Sequence, residues 1–371
     1  MKNVFCSLVI IVGILILSTS CTEKVRLVTG GFSQDGKAGI NVLEFNGKSG
    51  RLNKVSDFNA GSNPSYFSFS RYRNLIYAIN EVSDFKGPST GGITTIKHDG
   101  TFGDMQKAGE LAVPNGGPCY ISVSPDDDFL LVANYGGGSV AVVRLDEKGI
   151  PVQVTDTLIF GKDGENVSHA HMIDFNPRGD LVYATDLGLD RICMYTLDKK
   201  SGKLVAVENG ITALPAGTGP RHFVFNTDGS RLYLMGELNN TVTVFSVGGD
   251  GHLILKQSIS SLDKSTEVKN YSADIHIGRD GRFLYATNRG DNTIATFAIN
   301  DDGTLSPPVC KPCGGNWPRN FTIDPSGSYV LVGNQKSDMI AVLKIDVATG
   351  LPDKQVCEFK VIAPSCLKFS F

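Results

Sequence analysis

Six copies of one two-strand pattern constrain the fold of this 371-residue chain more than any other feature. Each copy starts with a proline or small residue, continues through two short apolar strands joined by a turn, and closes with asparagine, aspartate or glycine. The first and closing residues lie 16 apart in every copy, and successive copies start 46 to 54 residues apart. The copies start at Pro64, Pro118, Ala170, Pro220, Ser272 and Pro318. A repeat of this length predicts an array of identical structural units.

The residue pattern predicts four strands in each unit. Apolar and polar residues alternate with the period of a half-buried strand, and Asp228-Gly229 and Asp280-Gly281 stand where a tight hairpin turn is expected. A third strand follows the closing residue, as at 241–245, and a fourth follows a polar loop, as at 204–207. Four antiparallel strands in about 50 residues are typical of a β-propeller blade. The 42 glycines suit a fold with many tight turns.

The two ends of the chain supply the halves of one more unit. Residues 27–30 match the end of a second strand whose first strand is missing, and residues 364–369 match a first strand whose second is missing. Together they predict an all-β, seven-bladed propeller whose ring is closed by amino-terminal and carboxy-terminal strands sharing one blade. An open solenoid is the alternative, but it leaves both half-units unexplained and exposes sheet edges.

The first twenty residues differ from the repeats. A lysine at position 2 precedes an apolar run over 4–17, and the small residues 18–20 precede Cys21. This order is typical of a signal peptide, and the run is shorter than the roughly 20 apolar residues of a membrane-spanning helix. We expect residues 1–20 to be a signal peptide of the lipoprotein type and Cys21 to be the lipidated first mature residue, although Leu17 stands four places before it instead of the usual three. An ordinary secretory signal with an incidental cysteine is the alternative.

These features predict a propeller domain over 21–371, exported and held to the periplasmic or outer side of a bacterial membrane only by lipid at Cys21. The formal charge of −3 offers no basic field for nucleic acid. No metal motif and no cofactor motif are visible, and no Gly-x-Ser-x-Gly elbow supplies a serine nucleophile. We expect a monomer. Cys310 and Cys313 could form a disulfide or remain two thiols.

Polar residues recur at one place in the repeat. The first two strands of a blade form a hairpin, so the start of one and the end of the other lie at the same mouth of the ring. Charges that interrupt a repeat pattern predict a functional site, although a wet channel mouth could also hold them without function. Because the planar fork of arginine suits carboxylate or phosphate, the predicted ligand is a small anionic molecule. The residues placed at this mouth are Glu81, Tyr135, His171, Arg221, Glu237, Arg289 and Arg319, with His169, Asp186, His222 and Asp274 nearby.

Five short motifs also carry a resemblance. The segments 134–138, 168–171, 219–223, 236–238 and 288–290 resemble the seven-bladed lactonase family, which includes bacterial 6-phosphogluconolactonases and fungal carboxy-muconate cyclases. The resemblance extends from about residue 25 to residue 371. Matched motif by motif, it implies four catalytic residues: His171, Arg221, Glu237 and Arg289. His169 is an alternative counterpart of His171, but the repeat position favours His171.

The resemblance implies a lactone ring as substrate or product. For hydrolysis, Glu237 or His171 would act as general base on water, and Arg221 and Arg289 would stabilise the oxyanion or hold an anionic group of the substrate. The expected substrate-binding residues are Glu81, Tyr135, His169, Asp186, His222 and Arg319, the last as a second anion clamp.

Three functions are therefore open. The first is hydrolysis of a sugar-derived, anionic lactone, as in 6-phosphogluconolactonases. The second is cycloisomerisation of a muconate-like dicarboxylate. The third is non-catalytic capture of a sugar acid or a protein outside the cytoplasm. The export signal argues against a cytosolic sugar phosphate as the substrate, whereas the four matched residues favour an enzyme.

Overall fold

The chain folds into a closed ring of seven four-stranded antiparallel sheets. This computed structural model describes residues 24–33, 39–264 and 268–370. The seven-bladed, all-β propeller predicted from the repeats is confirmed, and an open solenoid is excluded. The predicted signal peptide and Cys21 lie outside the described residues. Within the described part, no helix is long and apolar enough to cross a membrane.

The strands follow the repeat closely. Blade 1 contains β3, β2, β1 and β30 from rim to channel, and blades 2 to 7 contain β4–β7, β8–β11, β14–β17, β18–β21, β22–β25 and β26–β29 from channel to rim. A two-stranded ribbon, β12 with β13, is an addition between blades 3 and 4 that the repeat does not predict. In chain order the strands, with one short 3-10 helix after β27 at Gln335–Ser337, are β1 (Lys24–Gly31), β2 (Ile40–Asn46), β3 (Arg51–Phe58), β4 (Phe67–Phe69), β5 (Leu75–Asn80), β6 (Thr90–His98), β7 (Met105–Pro114), β8 (Pro118–Val123), β9 (Phe129–Asn134), β10 (Ser139–Leu145), β11 (Pro151–Ile159), β12 (Lys162–Asp163), β13 (Asn166–Val167), β14 (Ala170–Phe175), β15 (Val182–Asp186), β16 (Arg191–Asp198), β17 (Lys203–Ala213), β18 (Pro220–Phe225), β19 (Arg231–Gly236), β20 (Thr241–Val247), β21 (Leu253–Ser260), β22 (Tyr271–Ile277), β23 (Phe283–Arg289), β24 (Thr293–Ala298), β25 (Val309–Pro312), β26 (Pro318–Ile323), β27 (Tyr329–Asn334), β28 (Met339–Ile345), β29 (Pro352–Lys360) and β30 (Pro364–Ser370).

Blade 1 closes the ring as the half-units predict. Strand β1 pairs antiparallel with β30, and Leu27 lies opposite Phe369. On β30, the Ser365 hydroxyl donates a hydrogen bond of 2.7 Å to the Ser65 carbonyl at the start of blade 2. The carboxy-terminal strand therefore joins the first blade to the second as well as to the amino-terminal strand.

Where the repeat closes with asparagine, that residue joins the blade to the segment that enters it. Asn80 is fully buried, and its Nδ2 donates to the carbonyl oxygens of Ala60 (2.7 Å) and Ser62 (3.0 Å). Asn288 does the same in blade 6, donating to Ser261 O at 2.8 Å. A buried backbone carbonyl needs such a partner, which explains why this residue type recurs.

Buried tyrosines fix the angle between neighbouring blades. In four second strands a tyrosine with at most 2% of its surface exposed points its hydroxyl at the next blade. Each hydroxyl donates to a glycine carbonyl in the outer hairpin of that blade, over 2.6 to 2.9 Å. Each hydrogen bond therefore satisfies a buried hydroxyl and joins two sheets. The pairs are Tyr77 with Gly149, Tyr183 with Gly251, Tyr233 with Gly303 and Tyr285 with Gly350.

The innermost strands of six blades contain a β-bulge that simple alternation does not predict. In blade 1 and in blades 3 to 7 the register shifts within the first paired residues of the inner strand, so that one or two residues have no cross-strand partner. A bulge bends the strand and turns the aim of a side chain. The residues in the bulges are Cys119, His171, Arg221 with His222, Ala273 with Asp274, Arg319 and Ser365.

Blade 2 departs from the predicted strand start. The repeat predicts an inner strand from Pro64, but β4 begins at Phe67. Asn63 has a φ of 47°, and the Ser65 N–H donates to Asn63 O at 2.7 Å. The chain therefore turns over these residues before it can pair as a strand.

Cys310 and Cys313 are both free thiols. The Cys310 Sγ lies 3.4 Å from the Ser261 carbonyl oxygen, and the Cys313 Sγ lies 3.1 Å from Asn334 Oδ1. Each thiol therefore contacts a different oxygen, and the structure contains no bond between the two sulfur atoms.

Candidate active site

Three of the predicted catalytic residues meet at one mouth of the channel, the end at which the inner strands begin, which we call the upper mouth. Glu237 follows β19, Arg289 ends β23, and Arg221 lies in the bulge of β18. Glu237 Oε2 lies 3.0 Å from Arg221 Nε and 2.8 Å from Arg289 Nη2. The first contact is electrostatic, because Arg221 Nε forms no aligned hydrogen bond. The side chains of Arg221, Arg289 and Glu237 are only 3%, 5% and 14% exposed.

Backbone carbonyls of blade 6 hold both guanidinium groups in place. Arg221 Nη1 donates to Ala273 O over 2.6 Å. Arg289 Nε donates to Tyr271 O over 3.1 Å, and its Nη2 donates to Ser272 O over 3.3 Å. The two cations are therefore oriented before any ligand arrives, which is the condition for effective electrostatic catalysis.

The arginines keep Glu237 ionised. Burial would raise the pKa of Glu237, but the charges of Arg289 and Arg221, with Arg319, outweigh burial and hold that pKa below its usual value. The Glu237 Oε2 atom already contacts both guanidinium groups. Glu237 is therefore better suited to holding the two guanidinium groups than to deprotonating water.

His171 has the opposite character. It lies in the bulge of β14 with 4% of its surface exposed, and its ring packs edge-on against Tyr135 and His222 with centroids 5.7 and 5.1 Å away. Its Nδ1 is buried without a partner, and within the described residues neither ring nitrogen forms a hydrogen bond. Burial, and after it the charge of Arg221, lowers the pKa of His171 well below 6.5. The ring is therefore neutral at pH 7, and its Nδ1 is not engaged by any described residue.

His169 occupies a different position from His171. Its ring stacks on Tyr135 with centroids 4.5 Å apart and planes at 18°, and its Nδ1 lies 3.0 Å from Tyr135 O. Burial and the nearby carboxylate of Glu237 raise the pKa of the Tyr135 hydroxyl. The Tyr135 ring therefore packs against both histidine rings. Of the two histidines, only His169 has a ring nitrogen within hydrogen-bond distance of Tyr135 O.

Glu81 and Arg319 form the other side of the upper mouth. Glu81 accepts a hydrogen bond from the Ser65 hydroxyl. Burial raises the pKa of Glu81, and the charge of Arg319 opposes that shift. The Arg319 guanidinium lies 5.0 Å from the centre of the Phe32 ring. Among the described residues it has no hydrogen bond and no ion pair, so it is a partly exposed cation available to an anionic ligand.

Asp186, a predicted substrate-binding residue, is bound by other protein groups. Asp186 is 0% exposed, and its Oδ1 accepts hydrogen bonds from the backbone N–H groups of His169 (3.0 Å) and Leu189 (3.2 Å). Its Oδ2 lies 3.4 Å from Arg191 Nη2. This placement does not support the expected contact between Asp186 and substrate, because the carboxylate is enclosed by the loop that it orders.

His222 lies below the arginines, in the floor of the upper mouth. Its Nδ1 lies 2.8 Å from Asp274 Oδ1, and Arg221 Nη1 lies 3.3 Å from the same nitrogen. Burial and Arg221 lower the pKa of His222 to about 4. His222 is therefore placed to support the Arg221 guanidinium group from beneath, which differs from the expectation that it contacts substrate.

Asp274 organises this floor, a role that its sequence position alone does not reveal. Its Oδ2 accepts hydrogen bonds from Asn320 Nδ2 (2.5 Å) and Phe321 N (3.1 Å), and lies 3.0 Å from His276 Nε2. Burial opposes ionisation, but His276 and the hydrogen bonds to His222 and His276 hold the pKa of Asp274 far below its usual value. One buried carboxylate thus joins the inner strands of blades 5, 6 and 7.

Aromatic rings separate this site from the rest of the channel. Tyr66 and Tyr120 stack with centroids 4.4 Å apart, and Tyr120 packs against His222 at 5.5 Å. Beyond them a cavity of about 890 Å³ opens at the other end of the channel, the lower mouth. Glu237, Arg289 and His171 do not line it. This cavity lacks the paired arginines and the unpartnered histidine of the upper mouth.

The donor groups of the described residues do not assemble a metal site. No group of three or more histidine, cysteine, aspartate or glutamate side chains in 24–33, 39–264 or 268–370 is placed to hold a metal ion.

Comparison with known families places nearly the whole chain in one match. Residues 26–369 match the family described as "Lactonase, 7-bladed beta-propeller". A 6-phosphogluconolactonase of Formosa agariphila is 33% identical over 340 residues, which cover 89% of this chain and 95% of the relative. A 6-phosphogluconolactonase of Bacillus subtilis is 28% identical over 346 residues, which cover 92% and 97%.

A solved structure shares both the fold and the sequence similarity. The periplasmic gluconolactonase of Pseudomonas aeruginosa superposes with a TM-score of 0.86 at 30% identity, and the match covers 93% of this chain and 98% of that structure. The similarity therefore extends around the whole ring and is not confined to a few blades.

Proposed function

The chain belongs to the seven-bladed β-propeller lactonase family, and on that basis we propose that it hydrolyses a sugar-derived, anionic lactone at the upper mouth. It is a lactone hydrolase, as the names of its relatives indicate. The observation that carries the site assignment is Glu237 bound between Arg221 and Arg289 beside the neutral, unpartnered His171.

His171 is the proposed general base. Its neutral ring accepts a proton from water while the water oxygen attacks the lactone carbonyl carbon. Of the two bases that the sequence left open, Glu237 is the weaker choice because its Oε2 already contacts two guanidinium groups, whereas Nδ1 of His171 has no hydrogen-bond partner. Glu237 instead fixes the positions of Arg221 and Arg289.

The two arginines stabilise the charge that attack creates. As the new C–O bond forms, the carbonyl electrons move onto oxygen, and a guanidinium beside that oxygen lowers the barrier. When the carbonyl re-forms, the ring C–O bond breaks and the leaving oxygen takes the proton from His171. The products are a carboxylic acid, which ionises, and a free hydroxyl group, and His171 returns to its neutral form.

Arg319 is the proposed clamp for a phosphate or carboxylate on the substrate. It lies at the same mouth and influences the pKa values of Glu81, Glu237 and His171. It has no carboxylate partner among the described residues, whereas Arg221 and Arg289 share Glu237. A charge-assisted, bidentate contact to an oxyanion would supply that partner.

The other two functions considered from the sequence have weaker support. The names of the relatives are those of lactonases, which favours neither a cycloisomerase nor a non-catalytic binding protein. Both alternatives are open to the same assay, since neither predicts that the protein hydrolyses a sugar lactone.

Export is part of the proposal. Residues 1–20 have the pattern of a lipoprotein signal peptide and Cys21 that of a lipid-bearing residue, so the propeller would act outside the cytoplasm. Its monomeric state is a separate expectation. The Pseudomonas aeruginosa relative described as periplasmic supports an exported site of action. The mass of the mature amino-terminus would test the lipid anchor: a lipid-modified Cys21 is expected, and an unmodified one would contradict it.

The activity is tested with purified protein on 6-phosphoglucono-lactone and glucono-lactone, with buffer alone as the blank. Glu237→Gln should lower kcat/KM by about 10²-fold, because the arginines lose the carboxylate that positions them. Glu208→Gln is the matched control, since Glu208 is an exposed glutamate on the rim strand β17 and should change kcat/KM by less than about threefold. Wild-type rates equal to the blank, or equal losses in both variants, would overturn the proposal.

A further inference from the structure

The lower mouth contains charges that the proposed reaction does not use. Its cavity of about 890 Å³ is bounded by the inner strands of several blades, among them β30 through Lys368 and the segment after β4 through Arg71. Tyr66, Tyr120 and Asp174 complete the wall on the channel side. The stacked tyrosines separate this cavity from Glu237, so a ligand bound here would not reach the reacting atoms.

Two cations at this mouth have no acidic partner. Lys368 Nζ lies 4.5 Å from the centre of the Tyr66 ring and donates to Ser68 Oγ over 3.2 Å. The Arg71 side chain has one long contact, from Nη2 to Val123 O at 3.5 Å. Neither forms an ion pair within the described part of the chain. A half-buried ammonium group without a counter-ion loses hydration that a bound anion could replace.

Asp174 does not cancel these charges. Lys368, Arg71 and Asp174 line the same cavity, and the two cations partly offset the rise that burial causes in the pKa of the Asp174 carboxyl group. Its oxygens already accept hydrogen bonds from Phe175 N (2.8 Å) and from the Tyr120 hydroxyl (3.3 Å). Two unpaired cations therefore face one carboxyl group, and the balance favours an anionic ligand.

We propose that the lower mouth is a second ligand site, which binds a small oxyanion, a carboxylate or phosphate, between Lys368 and Arg71. The cavity volume is in the range of small-molecule sites and accommodates an organic acid or a phosphate ester. Because Lys368 belongs to the carboxy-terminal strand and Arg71 to blade 2, the ligand bridges the place where the ring closes. This site does not depend on the proposed hydrolysis.

Calorimetric titration of the mature protein tests the proposal, with inorganic phosphate in one arm and gluconate in the other. Lys368→Gln and Arg71→Gln should each raise Kd for the bound probe about tenfold or more, because each removes one charge-assisted contact. Lys360→Gln, an exposed lysine on β29, is the matched control and should leave Kd unchanged. The arm that binds more tightly identifies phosphate or carboxylate as the preferred chemistry.

Two further variants keep the result unambiguous. Arg319→Gln removes the free cation of the upper mouth and should leave binding at the lower mouth unchanged. Thermal unfolding with the tighter probe should raise Tm by about 2 °C in wild type and less in the lower-mouth variants. Absence of binding in both arms, binding that survives both Lys368→Gln and Arg71→Gln, or binding abolished by Arg319→Gln alone would overturn the proposal.

Discussion

The two mouths of the channel carry similar residue types in different arrangements. At the upper mouth, Arg221 and Arg289 share the carboxylate of Glu237 within 3.0 Å, and backbone carbonyls hold both guanidinium groups. At the lower mouth, Lys368 and Arg71 have no carboxylate partner in the described residues, although the cavity there is about 890 Å³. The cavity volume at the lower mouth therefore indicates where a ligand fits, whereas the fixed and mutually oriented charges at the upper mouth indicate where a reaction can be catalysed.

The floor between the mouths explains how they stay separate. Asp274 joins three inner strands through His222, Asn320 and its own strand, and the stacked pair of Tyr66 and Tyr120 lies beside His222. If catalysis is confined to the upper mouth, changes at that mouth should lower activity strongly and changes at the lower mouth should lower it little.

His171→Asn should give the largest loss of activity. Asparagine keeps a polar side chain of smaller volume but cannot accept a proton at neutral pH, so kcat should fall by about 10²- to 10⁴-fold. Initial rates of lactone hydrolysis measure the effect, and His169→Asn is the matched control, because the ring of His169 contacts the Tyr135 carbonyl. A larger loss in the control would transfer the role of base to His169.

Arg289→Ala should lower kcat/KM by about 10²- to 10³-fold, since one fixed cation beside the oxyanion is lost. Rates with saturating and limiting lactone separate kcat from KM. A rise in KM with unchanged kcat would assign Arg289 to substrate binding instead of transition-state stabilisation. Circular dichroism should show that the variant remains folded.

The pH profile of kcat/KM should be flat from pH 6.5 to 8 and fall only on the acid side. Hydrolysis needs the neutral form of His171, and this form predominates above a folded-state pKa that burial holds well below 6.5. Activity should therefore fall about tenfold for each pH unit below that pKa. Rates corrected for the buffer reaction test this, and a decline that begins above pH 6.5 would contradict it.

Arg71→Gln should change kcat/KM by less than about twofold, because the side chain faces the lower mouth. The assay is the same one used for the upper-mouth variants. A loss comparable to that of Arg289→Ala would show that the two mouths are not independent and would place part of the reaction beyond the tyrosine pair.

The sequence predicts most of the fold because the repeat has direct physical causes. The period gives the number of blades, and the half-units at residues 27–30 and 364–369 give the closure seen between β1 and β30. The same register identifies Glu237 and Arg289 as neighbours at one mouth, since hairpin geometry places the end of each second strand beside the start of the first.

The remaining details depend on contacts that no alternation encodes. The bulges that carry His171, Arg221 and Arg319 arise from shifts in hydrogen-bond register. The enclosed position of Asp186 and the floor built on Asp274 depend on side chains from several blades. A one-residue difference in register separates a channel-facing side chain from a buried one, so these roles become visible only in three dimensions.

The ratio of kcat/KM for 6-phosphoglucono-lactone between His171→Asn and Arg71→Gln tests the central claim most directly. Each variant alters one mouth, and both proteins are assayed under the same conditions at pH 7. Catalysis confined to the upper mouth predicts a value for His171→Asn at least about 10²-fold below that for Arg71→Gln. Equal values, or a lower value for Arg71→Gln, would contradict it.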